Sequence, residues 1–244
     1  MRNLKIIMAY RGTNYHGYQI QPNVLTIQEV VQRHISKVLN EPITMVGCSR
    51  TDTGVHANGY VFNVHTNSSI NIKGLLRGCN NLLPNDISFL SCEEVPEEFH
   101  SRFDCKYKEY VYLIHNCESK NPFAEDLQLH YRRPINIDLI KEASRHYVGT
   151  HDFRSFSAVK DDNIDTIRTI YDFNIESCGN LIKVLVKGNG FLYNMVRILV
   201  GTLLDVNEGY ILPNQIPDII DSKNRLKAGR TAMAHGLYLN KVYY

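Results

Sequence analysis

The chain has 244 residues, of which 43% are hydrophobic and 21% charged, with a formal net charge of +2. That length suits one large domain or two of about 100 to 140 residues, and no apolar run approaches the roughly 18 residues of a membrane span. The balance therefore excludes a helical membrane protein and a chain that is basic throughout. Nine Lys and Arg face nine acids through residue 104, and 18 face 16 beyond it. Charge is sorted locally instead: Glu93, Glu94, Glu97 and Glu98 sit together, while Arg132, Arg133, Arg225, Lys227 and Arg230 form basic clusters. Local sorting lets a basic groove coexist with a near-neutral total, and equally describes ordinary solvated faces.

In chain order, LKIIMAY reads as a strand and RGTNYHGYQIQPN as a Gly-containing loop. Thr26 has the position of a helix N-cap, and Glu29, three residues on, completes a capping box ahead of VVQRHISKVL. A strand is expected near Ile43 to Gly47, and GYVFNVHT alternates like another. A helix over Ile72 to Leu83 should be stopped by Pro84, and ISFLSCEEV reads as a strand.

The second half repeats this plan. KEYVYLIHN is a strand, and IDLIKEASRHYVG an amphipathic helix ending near Gly149. TIRTIYDFNIES and NLIKVLVKGN are strands of a hairpin about Cys178 and Gly179. Phe191 to Asp205 is an apolar helix, IPDIIDS a short one, and GLYLNKVYY a closing strand. Helices mixed with antiparallel hairpins give an α+β class with two similar halves, each a mainly antiparallel sheet flanked by helices in a ferredoxin-like or RRM-like manner. The expected halves are 1–104 and 105–244, with an active-site cleft between them.

Six cysteines show no CxxC pair, and ten histidines show no HExxH or HxH. Free thiols and no protein-built metal site are expected. The N-terminus lacks the apolar h-region of a secretory signal, which suits a cytoplasmic protein.

The stretch SRTDTGVHAN, 49 to 58, raises the question of chemistry. Asp52-Thr53-Gly54 is also the aspartic-protease tripeptide, but that mechanism needs two carboxylates sharing a proton, and one copy stands here. Asp and Gly two apart also make an ordinary turn. Against a bare turn stand Arg50 and His56, which flank the acid on a loop between expected strands, where catalytic groups tend to sit.

Arg197 is a separate signal. It lies in FLYNMVRILVGTLL, apolar around most of its circumference, on a stripe with Gly190, Asn194 and Gly201. Such a helix is buried, and an unpaired buried charge costs several kcal/mol. No acid occurs from Ser177 to Leu204, so a partner would come from elsewhere, and the small residues suggest a close backbone or an open cleft. A purely structural ion pair is the alternative. Asp52 is one candidate partner, and an opposed arginine would keep it ionised, suited to attack or proton removal. In KEYVYLI, Tyr110 and Tyr112 share one face of a strand. A tyrosine there could stack on a base, or could simply pack.

Together these segments resemble the tRNA pseudouridine synthase A family nearly end to end. GCSRTDTGVHA, from Gly47 to Ala57, is similar to the family's G-x-G-R-T-D-x-G-V-H-A. FHSRFDCKYKEYVY resembles the segment that leads to its invariant tyrosine, at Tyr110 here. DFRSFSAV, RTI at 168 to 170, FLYNMVRILVGTLLDV and GLYL at 236 to 239 follow in the family's order.

The resemblance implies isomerisation of uridine to pseudouridine on the 3′ side of the tRNA anticodon arm. Asp52 would be the nucleophile, Tyr110 would lie against the base, Arg197 would pair with Asp52, and Arg50 would help extract the base. It further implies no cofactor, a two-part pseudo-symmetric fold and a homodimer spanning one tRNA. The sequence departs from the family at Arg11 and Tyr18, where an acid and a tryptophan are usual, and at Ser49 and Thr53, for glycine and alanine.

Two readings compete. One is a non-catalytic RNA-binding protein, since KGNGFLYNM approaches the RNP1 pattern, but with Asn189 and Asn194 at two aromatic positions. The other is a glycoside hydrolase, which wants two carboxylates in one site.

Overall fold

Alternation decides the first strand: β1 (Arg2–Tyr10) buries Leu4, Ile6, Met8 and Tyr10 on one face. In the computed structural model, which describes residues 1–159, 161 and 163–244, the chain divides into two units. One comprises Met1–Lys106 with Tyr238–Tyr244, the other Tyr107–Leu237.

In the first unit, helix α1 (Ile27–Leu39) starts where expected, with the Thr26 hydroxyl accepting from the Glu29 N–H. It ends at Asn40, whose left-handed backbone, φ 54°, closes the helix. The short strand β2 (Val46–Gly47) pairs with β3 (His56–Thr66), so the aspartate loop joins two neighbouring strands. Helix α2 (Ile72–Leu82) stops before Pro84 and packs on α1 and on β4 (Ile87–Val95). The order across this sheet is β4, β1, β3, β10, the last being Leu237–Tyr243, which meets β3 in parallel at His56 and Ala57. The other pairings, β1 with β3 and with β4, are antiparallel.

In the second unit, β5 (Tyr107–Asn116), β9 (Leu181–Gly188), β8 (Ile167–Cys178) and β7 (Gly149–Asp152) lie in that order, all antiparallel. Strand β6 (Leu129–Tyr131) runs parallel on β5. Helices α3 (Ile137–Ser144) and α4 (Met195–Asn207) pack together, and α5 (Ile216–Asp221) follows. Helix α4 is buried from Met195 to Val206 except at Arg197, as an all-round apolar pattern requires. The class is α+β with mainly antiparallel sheets. Among the described residues no helix is long and apolar enough to cross a membrane.

Several boundaries differ from the pattern reading. Helix α4 begins at Met195 rather than Phe191, because Asn194 adopts φ 60° and the Met195 N–H bonds to Leu192 O in a turn. The strand expected from Ile43 narrows to two residues. Helix α3 stops at Ser144, and a 3₁₀ turn carries the chain to Gly149, at φ 118°. The β8 to β9 hairpin turns at Gly179 and Asn180, one residue later than expected, with φ 57° at Gly179. Strands β6 and β7, of three and four residues, carry too little alternation to be read from sequence.

Candidate active site

Asp52 occupies the first position of a β-turn. The Val55 N–H bonds to Asp52 O at 3.1 Å, and Gly54 takes φ 77°, the left-handed conformation that a type II turn demands at its third residue. The turn half-buries the Asp52 side chain, while Arg50 and Thr53 are exposed. A turn and a presented carboxylate are thus the same structure.

The loop is tied down along its whole length. The Cys48 N–H bonds to Val61 O at 2.9 Å, the Tyr60 hydroxyl donates to Ser49 O at 2.5 Å, and the Tyr18 N–H bonds to Thr51 O at 3.1 Å. Tyr10 Oη and Thr51 Oγ1 share a buried hydrogen bond of 2.8 Å. Beyond the turn, the Gly12 N–H donates to His56 Nδ1 at 2.9 Å. His56 is fully buried, and its ring lies 4.6 Å from that of Tyr238. The acceptor role falls to Nδ1, which the Gly12 amide holds in place. Beneath the loop the rings of Tyr18 and Tyr60 stack at 4.4 Å. Burial holds both phenols well above their ordinary pKa, so both stay uncharged, and the Tyr60 hydroxyl is the one that reaches the loop.

The second unit carries Tyr110 and Arg197. Tyr110 is 6% exposed and meets Phe191 edge to face, with ring centroids 5.1 Å apart. Phe191 lies four residues before α4 begins, so a helical reading of 191–205 does not point to this contact. Tyr112, fully buried on the same strand face, donates its hydroxyl to Met233 O at 2.7 Å. Burial raises the Tyr112 pKa, and the nearby Arg197 charge only partly opposes it. Arg197 Nε donates to Ala232 O at 2.8 Å, and Nη1 to Asn194 Oδ1 at 2.7 Å.

The carbonyls of Ala232 and Met233 therefore seat the arginine and the inner tyrosine side by side. Their segment crosses α4 at Gly201, where any Cβ would overlap the Arg230 carbonyl oxygen. The small residue on the arginine stripe thus marks a close backbone. The segment is held by Asp205, which accepts from the Arg230 N–H at 2.8 Å and from its Nε at 2.6 Å, and by Thr202, whose hydroxyl accepts from the Gly229 N–H at 3.0 Å. Nothing in the spacing of residues 228–233 announced this duty.

Among the described residues, no group of three or more His, Cys, Asp or Glu side chains is arranged to hold a metal ion. The first unit carries a half-buried carboxylate on a pinned turn, and the second carries an arginine and buried tyrosines.

Comparison with known proteins gives this constellation a context. The family model described as tRNA pseudouridine synthase matches residues 6–104 and 143–244, a span that holds Arg50, Asp52 and Arg197. A protein named tRNA pseudouridine synthase A from Thermoanaerobacter sp. (strain X514) is 45% identical over 244 residues, covering 100% of both chains. Proteins of the same name from Clostridium acetobutylicum and Ruminiclostridium cellulolyticum are 46% and 45% identical, again over 100% of both chains. A match that runs through both units, on both sides of the aspartate turn and through the arginine helix, leaves one conclusion: this chain belongs to the tRNA pseudouridine synthase family.

Proposed function

We propose that the protein isomerises uridine to pseudouridine in the anticodon arm of tRNA, with Asp52 as the nucleophile and no cofactor. In this reaction the C1′ to N1 glycosidic bond breaks, the uracil turns, and a C1′ to C5 bond forms. The proton on C5 passes to water and N1 gains one, so the nucleoside keeps its composition. The observation that carries the reading is the turn at Asp52, which offers one carboxylate at the head of a loop fixed at Ser49, Thr51 and Val55. A single fixed acid suits attack on a sugar carbon that is later released.

Tyr110 in this reading lies against the target base, Arg197 balances the Asp52 charge, and Arg50, exposed on the same loop, helps hold the nucleotide out of its stack. The protein acts as a cytoplasmic homodimer on one tRNA. Phosphates contacted along one track account for tRNA binding by a chain of net charge +2, and binding should weaken steeply with salt.

The test uses tRNA carrying tritium at uracil C5. Wild-type protein should release tritium to water; a protein that releases none from any tRNA of its own cell would sink the proposal. Asp52→Ala should abolish release while keeping tRNA affinity within a few fold, and a mutant of normal activity would remove Asp52 from the chemistry.

A further inference from the structure

The aspartate turn stands on a floor of tyrosines that the reaction chemistry does not itself use. Tyr10, at the end of β1, is 4% exposed and shares its hydrogen bond with Thr51 Oγ1, on the residue immediately before Asp52. Tyr60, fully buried on β3, donates to the Ser49 carbonyl three residues before the acid. The two rings are themselves in contact, with centroids 5.8 Å apart. Both strands belong to the same sheet, so two adjacent rigid strands each send one hydroxyl to the chain leading into Asp52. Thr51 is 7% exposed, and its hydroxyl is therefore chiefly available to Tyr10.

We propose that Tyr10 and Tyr60 are positioning residues for Asp52: a hydroxyl clasp that fixes the approach of the carboxylate to the sugar. This rests on the assignment of Asp52 as nucleophile. The physical reason is the short lever between clasp and acid. A side chain on a turn inherits any shift of the backbone before it, and displacement of a reacting group by about 1 Å can cost on the order of 10²-fold in rate. Neither hydroxyl lies on the exposed side of the loop, so loss of the clasp should slow the chemical step and leave the capture of tRNA intact.

The experiment is a double-mutant cycle on Tyr10→Phe and Thr51→Val, read under single-turnover conditions with enzyme in excess over tritium-labelled tRNA. Each change removes a hydroxyl and keeps the shape. The rate constant should fall about 10- to 100-fold in either single mutant. The double mutant should be no slower than the singles, because both remove the same bond. The tRNA dissociation constant should stay within a few fold.

A merely structural role would lower the reaction amplitude and the melting temperature but not the rate constant of the surviving enzyme. Tyr60→Phe supplies a second arm and should slow the same step. Wild-type rate constants in Tyr10→Phe and Tyr60→Phe, or multiplicative losses in the cycle, would overturn the clasp while inactive Asp52→Ala left the nucleophile assignment standing. Normal turnover by Asp52→Ala would overturn both.

Discussion

Arg197 and Ala232 are joined twice, by Arg197 Nε to Ala232 O at 2.8 Å and by the Ala232 N–H to Arg197 O at 3.0 Å. The arginine is thereby oriented by backbone that lies 35 residues further along the chain. Its position depends on how closely that backbone can approach α4, which Gly201 decides. Gly201→Ala should force the two apart. Overpacking of this kind costs about 1 to 3 kcal/mol. Urea unfolding should show that loss, and tritium release should fall with it; a mutant as stable and as fast as wild type would show that the crossing is slack.

The same crossing is anchored by Asp205, which is 9% exposed and meets Arg230 through its amide and its guanidinium. Asp205→Ala leaves the Arg230 amide without its carboxylate. Losing one partner of such a hydrogen bond costs about 1 to 3 kcal/mol. The midpoint of urea unfolding should drop accordingly with an unchanged slope, and Arg197-dependent activity should fall further than stability alone explains.

Glu208 gives the second unit an acid-sensitive joint. Burial pushes its carboxyl pKa up, but the Tyr131 hydroxyl and the Arg230 and Arg133 guanidinium groups more than offset this and hold it below the ordinary value. With the folded pKa depressed, the unfolded chain binds the proton more readily. The stabilisation is present above the unfolded pKa of about 4.3 and is lost as pH falls through the folded one. Melting temperatures measured from neutral to acid pH should decline below that point, and Glu208→Gln should flatten the decline. An equal slope in the mutant would assign the acid lability to other carboxylates.

At the turn itself, Gly54→Val places a β-branched residue at φ 77°. A left-handed backbone costs such a residue about 1 to 2 kcal/mol. The turn should open to avoid the strain, moving Asp52. Tritium release should fall steeply while tRNA affinity holds, and retained activity would mean that the left-handed conformation is dispensable.

The parts legible in the sequence were those whose signal is periodic or local. β1 alternates, α1 carries its cap, and α4 is apolar around most of its circumference, so each could be read from a window of about a dozen residues. The turn at Asp52 announced itself through Gly54. What stayed hidden was carried by backbone atoms and by polar groups buried from afar. Asn3 shows this well: a polar residue just ahead of the expected strand LKIIMAY, it is 1% exposed and its amide bonds to the carbonyls of Pro96, Glu97 and Phe99. The seat of Arg197 is of the same kind, since carbonyl oxygens have no letter of their own. Asn194 was visible as part of the arginine stripe, but not as the left-handed residue that delays α4 by four positions.

The first unit is made from two stretches of chain separated by all of Tyr107–Leu237, and this sets an order of assembly during synthesis. The ring that lies on His56 belongs to Tyr238, the Tyr244 hydroxyl bonds to Ser101 O, and the Lys106 N–H bonds to Tyr243 O. While a ribosome is still translating the second unit, the aspartate loop has been made but its β10 neighbour has not. A nascent chain must keep the β3 edge beside Asp52 without its β10 neighbour until about 130 further residues have emerged.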